Sequence, residues 1–208
     1  MKKPLVFDHL AVVARTLEEG CSYVKDSLGV DMPKGGKHPA MGTHNHLMAL
    51  GPESYIEVIC VDLDARSPDR PRWFGLDDFD GPPRLMTWVV STPNIVSSMS
   101  DSTLSLGDVL ELSRDTLKWE IAVTDSGKLP LDGAFPTLIE WPDQPSHVAS
   151  SMTDLGCRLT KLEITSPDSA IIETFLNGAI NDSRIEIQQG RLGLCAWFDT
   201  PSGPRQLA

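Results

Sequence analysis

The chain has little positive charge to offer a partner: 18 Lys and Arg stand against 29 Asp and Glu, a formal net charge of -11 over 208 residues. An acidic surface repels phosphate backbones and anionic bilayers, which makes nucleic acid and membrane poor partners. The densest cationic stretch, Asp69-Arg70-Pro71-Arg72, is short and broken by proline. No run approaches the ~18 consecutive apolar residues of a membrane span. Lys2 and Lys3 precede an apolar run that Asp8 and His9 end within a few residues, too brief for a signal-peptide core. Cys21, Cys60, Cys157 and Cys195 are scattered with no Cys-x-x-Cys pair, so free thiols and a cytoplasmic location are expected. Three chemistries also lack their motifs: the Gly-x-Ser-x-Gly elbow, the phosphate-binding loop and the dinucleotide fingerprint. Lys34-Gly35-Gly36-Lys37 imitates a phosphate loop only superficially and reads as a turn.

What remains is ordinary globular composition, 40% hydrophobic and 23% charged. Residues 5–14 read as a short valine-rich strand. Thr16 and Glu19 form a capping box for a helix that carries Leu17, Cys21, Val24 and Leu28 and stops at Gly29. After a turn-rich loop, strands are expected over 42–50 and 55–61, with room for one more short strand near the glycines. Residues 62–83 read as a long Asp-, Pro- and Gly-rich connection with one helical turn. The order then restarts: a strand over 84–90, a helix over 93–99, a hairpin of 110–114 and 117–124, and a strand over 136–141. A third pass follows, with a strand at 162–165, a helix over 167–177 capped by Ser166 and started by Pro167, and strands at 184–188 and 193–198.

This recurrence is the strongest structural signal in the chain. His9-Leu10-Ala11-Val12-Val13, Met86-Thr87-Trp88-Val89-Val90 and Thr160-Lys161-Leu162-Glu163-Ile164 each precede a turn and a helix. Tyr55-Ile56-Glu57-Val58 and Leu138-Ile139-Glu140-Trp141 close the first two passes and share Ile-Glu. An α+β protein of one domain over 1–208 is expected, with modules over about 5–62 and 84–142 and a partial βαββ unit over about 157–206.

Several segments in order resemble the glyoxalase-like branch of the vicinal oxygen chelate superfamily. They are Phe7-Asp8-His9-Leu10-Ala11-Val12, Gly36-Lys37-His38-Pro39 leading to Gly42-Thr43-His44-Asn45, Tyr55-Ile56-Glu57-Val58-Ile59, Leu117-Lys118-Trp119, Leu138-Ile139-Glu140-Trp141 and Thr200-Pro201-Ser202-Gly203. The resemblance implies repeated βαβββ modules forming a cupped, partly open barrel. It also implies a divalent ion, zinc, nickel, iron or manganese, held by ligands on the first and last strands of each module. Members include glyoxalases, extradiol dioxygenases, epimerases, thiol transferases and drug-sequestering bleomycin-resistance proteins, so the fold leaves the chemistry open. Modules often pair between chains in this superfamily, which makes a homodimer a candidate state.

By that resemblance His9, Glu57 and Glu140 are the metal ligands, with Glu57 and Glu140 also available as catalytic bases. A neutral imidazole suits such ions, and a carboxylate inside an apolar strand calls for a cation. Each also has a plain alternative: His9 packed in the sheet, Glu57 facing solvent with Tyr55 and Ile59, Glu140 exposed ahead of Pro142. Met86, with Thr87 beside it, stands where a fourth ligand is expected, which favours a metal-free pocket as the rival. Thr43 and Asn45 share a face and match a cavity-facing Gly-Thr-x-Asn motif, with His38 an acid/base candidate at the rim. His44 and His46 share the other face, either as surface residues or as a zinc pair. Trp88, Trp119 and Trp141 are candidate aromatic walls. Arg114 could bind a substrate carboxylate through its planar fork or face solvent on its hairpin. Two functions remain open: a metal-dependent lyase, isomerase or dioxygenase acting on a small oxygenated substrate, and a metal-free protein that binds or sequesters a small molecule.

Overall fold

The computed structural model describes residues 2–142 and 146–208. Valine-rich β1 (Val6–Val13) leads through a turn into α1 (Leu17–Leu28). The Thr16 hydroxyl accepts the Glu19 N–H at 3.1 Å and Gly29 closes the helix in the left-handed region, φ 74°. β2 (Lys34–His38), β3 (Thr43–Ala49) and β4 (Tyr55–Val61) complete the first module, so that Lys34-Gly35-Gly36-Lys37, expected as a turn, is strand paired with β3. The long connection contains one 3-10 segment, Trp73–Asp78, in which Phe74 has φ 58°. The second module repeats the order with β5 (Arg84–Ser91), α2 (Ile95–Ser100), β6 (Asp108–Arg114), β7 (Leu117–Val123) and β8 (Thr137–Glu140).

The eight strands form one sheet in the order β2-β3-β4-β1-β5-β8-β7-β6. Each module therefore has the same internal order, 1-4-3-2 and 5-8-7-6, with its first and last strands parallel. The antiparallel pairing of β1 with β5 joins them. The sheet curls into a nearly closed barrel, and Arg114 on β6 reaches His38 on β2. The expected fold is thus the observed one.

β9 (Arg158–Ser166), α3 (Ser169–Leu176), β10 (Ile185–Gln189), β11 (Gly193–Thr200) and β12 (Gly203–Leu207) form a second sheet in the order β10-β9-β11-β12. Here the sequence reading needs two corrections. α3 starts after Pro167, because the Ser166 hydroxyl accepts the Asp168 N–H in a turn of its own. The Thr200–Gly203 turn leads into a further strand, β12, whose Gly-Pro start hid it.

Two apolar clusters divide the molecule. One, with Leu10, Val12, Ile56, Val58, Trp88 and Leu138 from the barrel's outer face, is shared with Leu162, Ile164, Phe175, Ala196 and Phe198 of the C-terminal unit. The other lies inside the curl and holds Ala11, Val13, Ile59, Val89, Trp119, Ile121 and Ile139. β4 is buried on both faces, which explains why its sequence does not show which alternate residues face the core. Among the described residues, no helix is long and apolar enough to cross a membrane.

Candidate functional site

The inner cluster leaves a cavity of about 400 Å³. β1 brings His9 to it on the same face as Ala11 and Val13, as strand alternation requires. Asp8 departs from that alternation. Phe7 stands opposite Val90 and His9 opposite Val89, so Asp8 is the extra residue of a bulge, and the bulge re-aims its side chain. The fully buried Asp8 carboxylate accepts the His9 Nδ1–H at 2.6 Å, the Trp141 Nε1–H at 2.8 Å and the His147 Nε2–H at 3.1 Å. Burial alone would raise its pKa, but the hydrogen bonds from His147 and His9 outweigh it and hold the group at about 2. With Nδ1 committed to Asp8, His9 turns Nε2 toward the cavity. Its ring is stacked on Tyr55 with centroids 4.3 Å apart.

Glu57 enters from β4, two residues after Tyr55, and is 6% exposed. Its Oε1 accepts the Asn45 side-chain N–H at 2.6 Å, while Oε2 stands 3.8 Å from His9 Nε2, beyond hydrogen-bonding distance. Burial raises its pKa above the ordinary carboxylate value, against the lowering influence of His9, the Asn45 hydrogen bond and Arg114. Asn45 links this carboxylate to the rim: its Oδ1 accepts the Gly36 backbone N–H at 2.8 Å and an Arg114 Nη1–H at 3.3 Å.

His38 is buried, its Nδ1–H donated to the Thr43 hydroxyl at 3.0 Å and its Nε2 accepting from Asn45 at 3.3 Å and Arg114 at 3.4 Å. Burial, with Arg114 nearby, lowers its pKa to about 3, so the ring is neutral at ordinary pH. Gly35 and Gly36 make the crowding feasible: a Cβ on Gly35 would overlap Asn45, and one on Gly36 would meet Arg114 Cδ at 2.8 Å. Trp73, Phe74, Trp119, Ile121, Ile139 and Trp141 supply apolar wall.

The structure therefore brings together His9, Glu57, Asn45, His38, Arg114, Trp119 and Trp141, with Thr43 one hydrogen bond behind His38. Glu140 is elsewhere. His9 faces Val89 across the module boundary; two residues on, Ala11 faces Glu57 and Ser91 faces Ile139. Ile139 is thus the counterpart of Glu57, and Val89, not Met86, the counterpart of His9. Glu140, one residue further along, points to the other face and accepts the Ile95 N–H at the start of α2 at 2.7 Å. Trp88 also lies on the outer face, fully buried, its indole N–H on the Ala134 carbonyl at 2.9 Å. His44 and His46 face away from the cavity, toward Cys60 and the Met32 carbonyl.

Sequence reasoning missed Asp8, Tyr55, Trp73, Phe74 and His147. The apolar pair Trp73-Phe74 inside a polar connection was the one legible signal; a bulge at Asp8 has none. A divalent ion would find two donors here, His9 Nε2 and Glu57. Catalytic ions ordinarily take three protein ligands, and Val89 and Ile139 occupy the places from which the second module would add them. Among the described residues no three His, Cys, Asp or Glu side chains are arranged to hold a metal ion. The donor set does not fit the expected ion.

A family model described as a glyoxalase-like domain matches residues 7–178. No curated protein matches. Among solved structures, a hypothetical protein from Staphylococcus aureus is 15% identical, with a TM-score of 0.65, over 90% of this chain and 87% of that one. Methylmalonyl-CoA epimerase from Streptomyces coelicolor, in complex with 2-nitronate-propionyl-CoA, is 13% identical with a TM-score of 0.43, over 68% and 97%. The epimerase of Mycobacterium tuberculosis is 14% identical with a TM-score of 0.40, over 64% and 86%. These likenesses concern the fold.

Proposed function

The chain belongs to the glyoxalase-like domain family, and from that premise we propose that it is an isomerase or lyase that moves a proton on a small oxygenated substrate, with Glu57 as the base. The observation that carries this reading is the divided environment of the Glu57 carboxylate. Asn45 holds one oxygen at 2.6 Å, and the other has no hydrogen-bond partner among the described residues and borders the cavity. A carboxylate held at one end, free at the other and made more basic by burial is suited to taking a proton. Glu57 Oε2 takes a proton from the carbon beside a carbonyl, and the C–H electron pair moves into an enolate. Returning the proton to another atom isomerises the substrate; expelling a β-substituent makes the reaction a lyase step. Asp8 fixes the His9 ring, whose Nε2 stands on the same wall 3.8 Å from Glu57 Oε2.

Solvent deuterium exchange into a panel of 2-oxo acids, hydroxy acids and small ketones, followed by proton NMR, tests this. Wild type is expected to catalyse exchange in at least one compound, and Glu57→Gln to slow it by about 10²-fold or more. Exchange at the wild-type rate in Glu57→Gln would remove the proposal. The aromatic walls favour a second reading, a binding protein that sequesters its ligand; saturable binding with no exchange in any compound would select it. No step here runs through a metal. Thermal-shift titration with zinc, nickel and manganese is expected to give no gain, because binding to the native state alone stabilises by mass action. A gain abolished in His9→Ala and Glu57→Ala would instead indicate a two-ligand metal site.

A further inference from the structure

We infer that the substrate is a small monocarboxylate with a flat apolar body, its carboxylate docked on Arg114 and its ring enclosed by the cavity's tryptophans. The inference takes the cavity of the proposed reading as its site and does not depend on the proton transfer. Arg114 is half-buried on the cavity wall, yet among the described residues no carboxylate pairs with it. Its Nη1 gives only long hydrogen bonds, 3.3 and 3.4 Å, to the neutral Asn45 and His38. The Nε–H and the Nη2 hydrogens have no acceptor among the described residues, and that edge of the guanidinium is the fork that takes a carboxylate bidentately. Asp115, the neighbouring acid at the rim, is exposed and makes no ion pair with it.

Trp73 lines the same cavity with its ring; its indole N–H is buried, without a partner among the described residues. The remaining surface is flat and apolar: Trp119 and Trp141 lie with centroids 5.9 Å apart, and Trp73 and Phe74 are stacked at 5.7 Å. A volume of about 400 Å³ is near the small end of ligand pockets, enough for a single-ring acid.

The buried charges of the cavity favour a monoanion. Asn45 bonds Arg114 Nη1 through Oδ1 and Glu57 through Nδ2, so a second anionic group reaching past Arg114 would meet the Glu57 carboxylate, and the other cation of the lining, Lys34, is exposed.

The test is a tryptophan-fluorescence titration with phenylacetate, phenylacetamide and phenyl phosphate. Phenylacetate is expected to bind at least about tenfold more tightly than the amide or the phosphate. Arg114→Gln should abolish that preference, and Arg114→Lys should retain only part of it. Equal affinity for acid and amide, preference for the phosphate, absence of binding, or a preference surviving in a folded Arg114→Gln would overturn the inference. Carboxylate-selective binding with no deuterium exchange would overturn the catalytic proposal alone. Exchange confined to neutral ketones would overturn the carboxylate inference alone.

Discussion

Glu57 is held in a place that disfavours its charge. A folded pKa above the unfolded one means that the native state binds the extra proton more tightly, so this group's contribution is fully present below about pH 4.5 and is lost as pH rises through the folded pKa. Replacing it with Gln removes the buried charge and keeps a carbonyl for the Asn45 N–H. Glu57→Gln is therefore expected to melt at the wild-type temperature near pH 4 and about 3 °C higher at pH 7. Scanning calorimetry across that range checks it; a variant less stable at pH 7 would mean that the charge is compensated. His38 illustrates the opposite solution, a neutral ring buried among donors and acceptors that never needs a proton.

At the scale of strands and helices, close approach decides more than propensity. Gly20 lies buried in α1, where alanine would ordinarily favour the helix by roughly 1 kcal/mol. A Cβ there runs into Val58 Cγ1 on β4 and comes within 2.9 Å of the Ala14 Cβ. Gly20→Ala is expected to lose about 1–2 kcal/mol net, because overpacking outweighs the helical gain; urea unfolding that shows a more stable variant would contradict this. The same scale shows what the sequence could and could not convey. Capping residues and repeated order placed α1 and nearly every strand, and His9, Asn45 and Glu57, singled out by the family resemblance, line one cavity. Register was not legible: alternation in a strand apolar on both faces gives no phase, so Glu140 was placed one residue from the true counterpart of Glu57 and Trp88 on the wrong side of β5. The bulge that turns Asp8 inward leaves no periodic trace, and Trp73 reaches the cavity from a connection whose path depends on tertiary contacts.

Across the whole molecule, two modules share one strand order but have divided the labour. The first supplies Asp8, His9, Asn45 and Glu57; the second supplies Arg114, tryptophans and, at the places equivalent to His9 and Glu57, Val89 and Ile139. The C-terminal unit completes the outer core with Phe175, tilted against Phe135 at 4.7 Å between centroids, and with Phe198. A single basic wall opposite an inert one has a stereochemical corollary. A substrate anchored at one end can show only one of its two mirror-related hydrogens to the groups that accept protons. With a methylene acid such as phenylpyruvate in deuterated buffer, the product is expected to be labelled at one enantiotopic position, giving a chiral monodeuterated centre that NMR in a chiral environment resolves. Racemic labelling would require a second proton-accepting wall, where Ile139, backed by Val89 in the inner cluster, provides hydrocarbon instead.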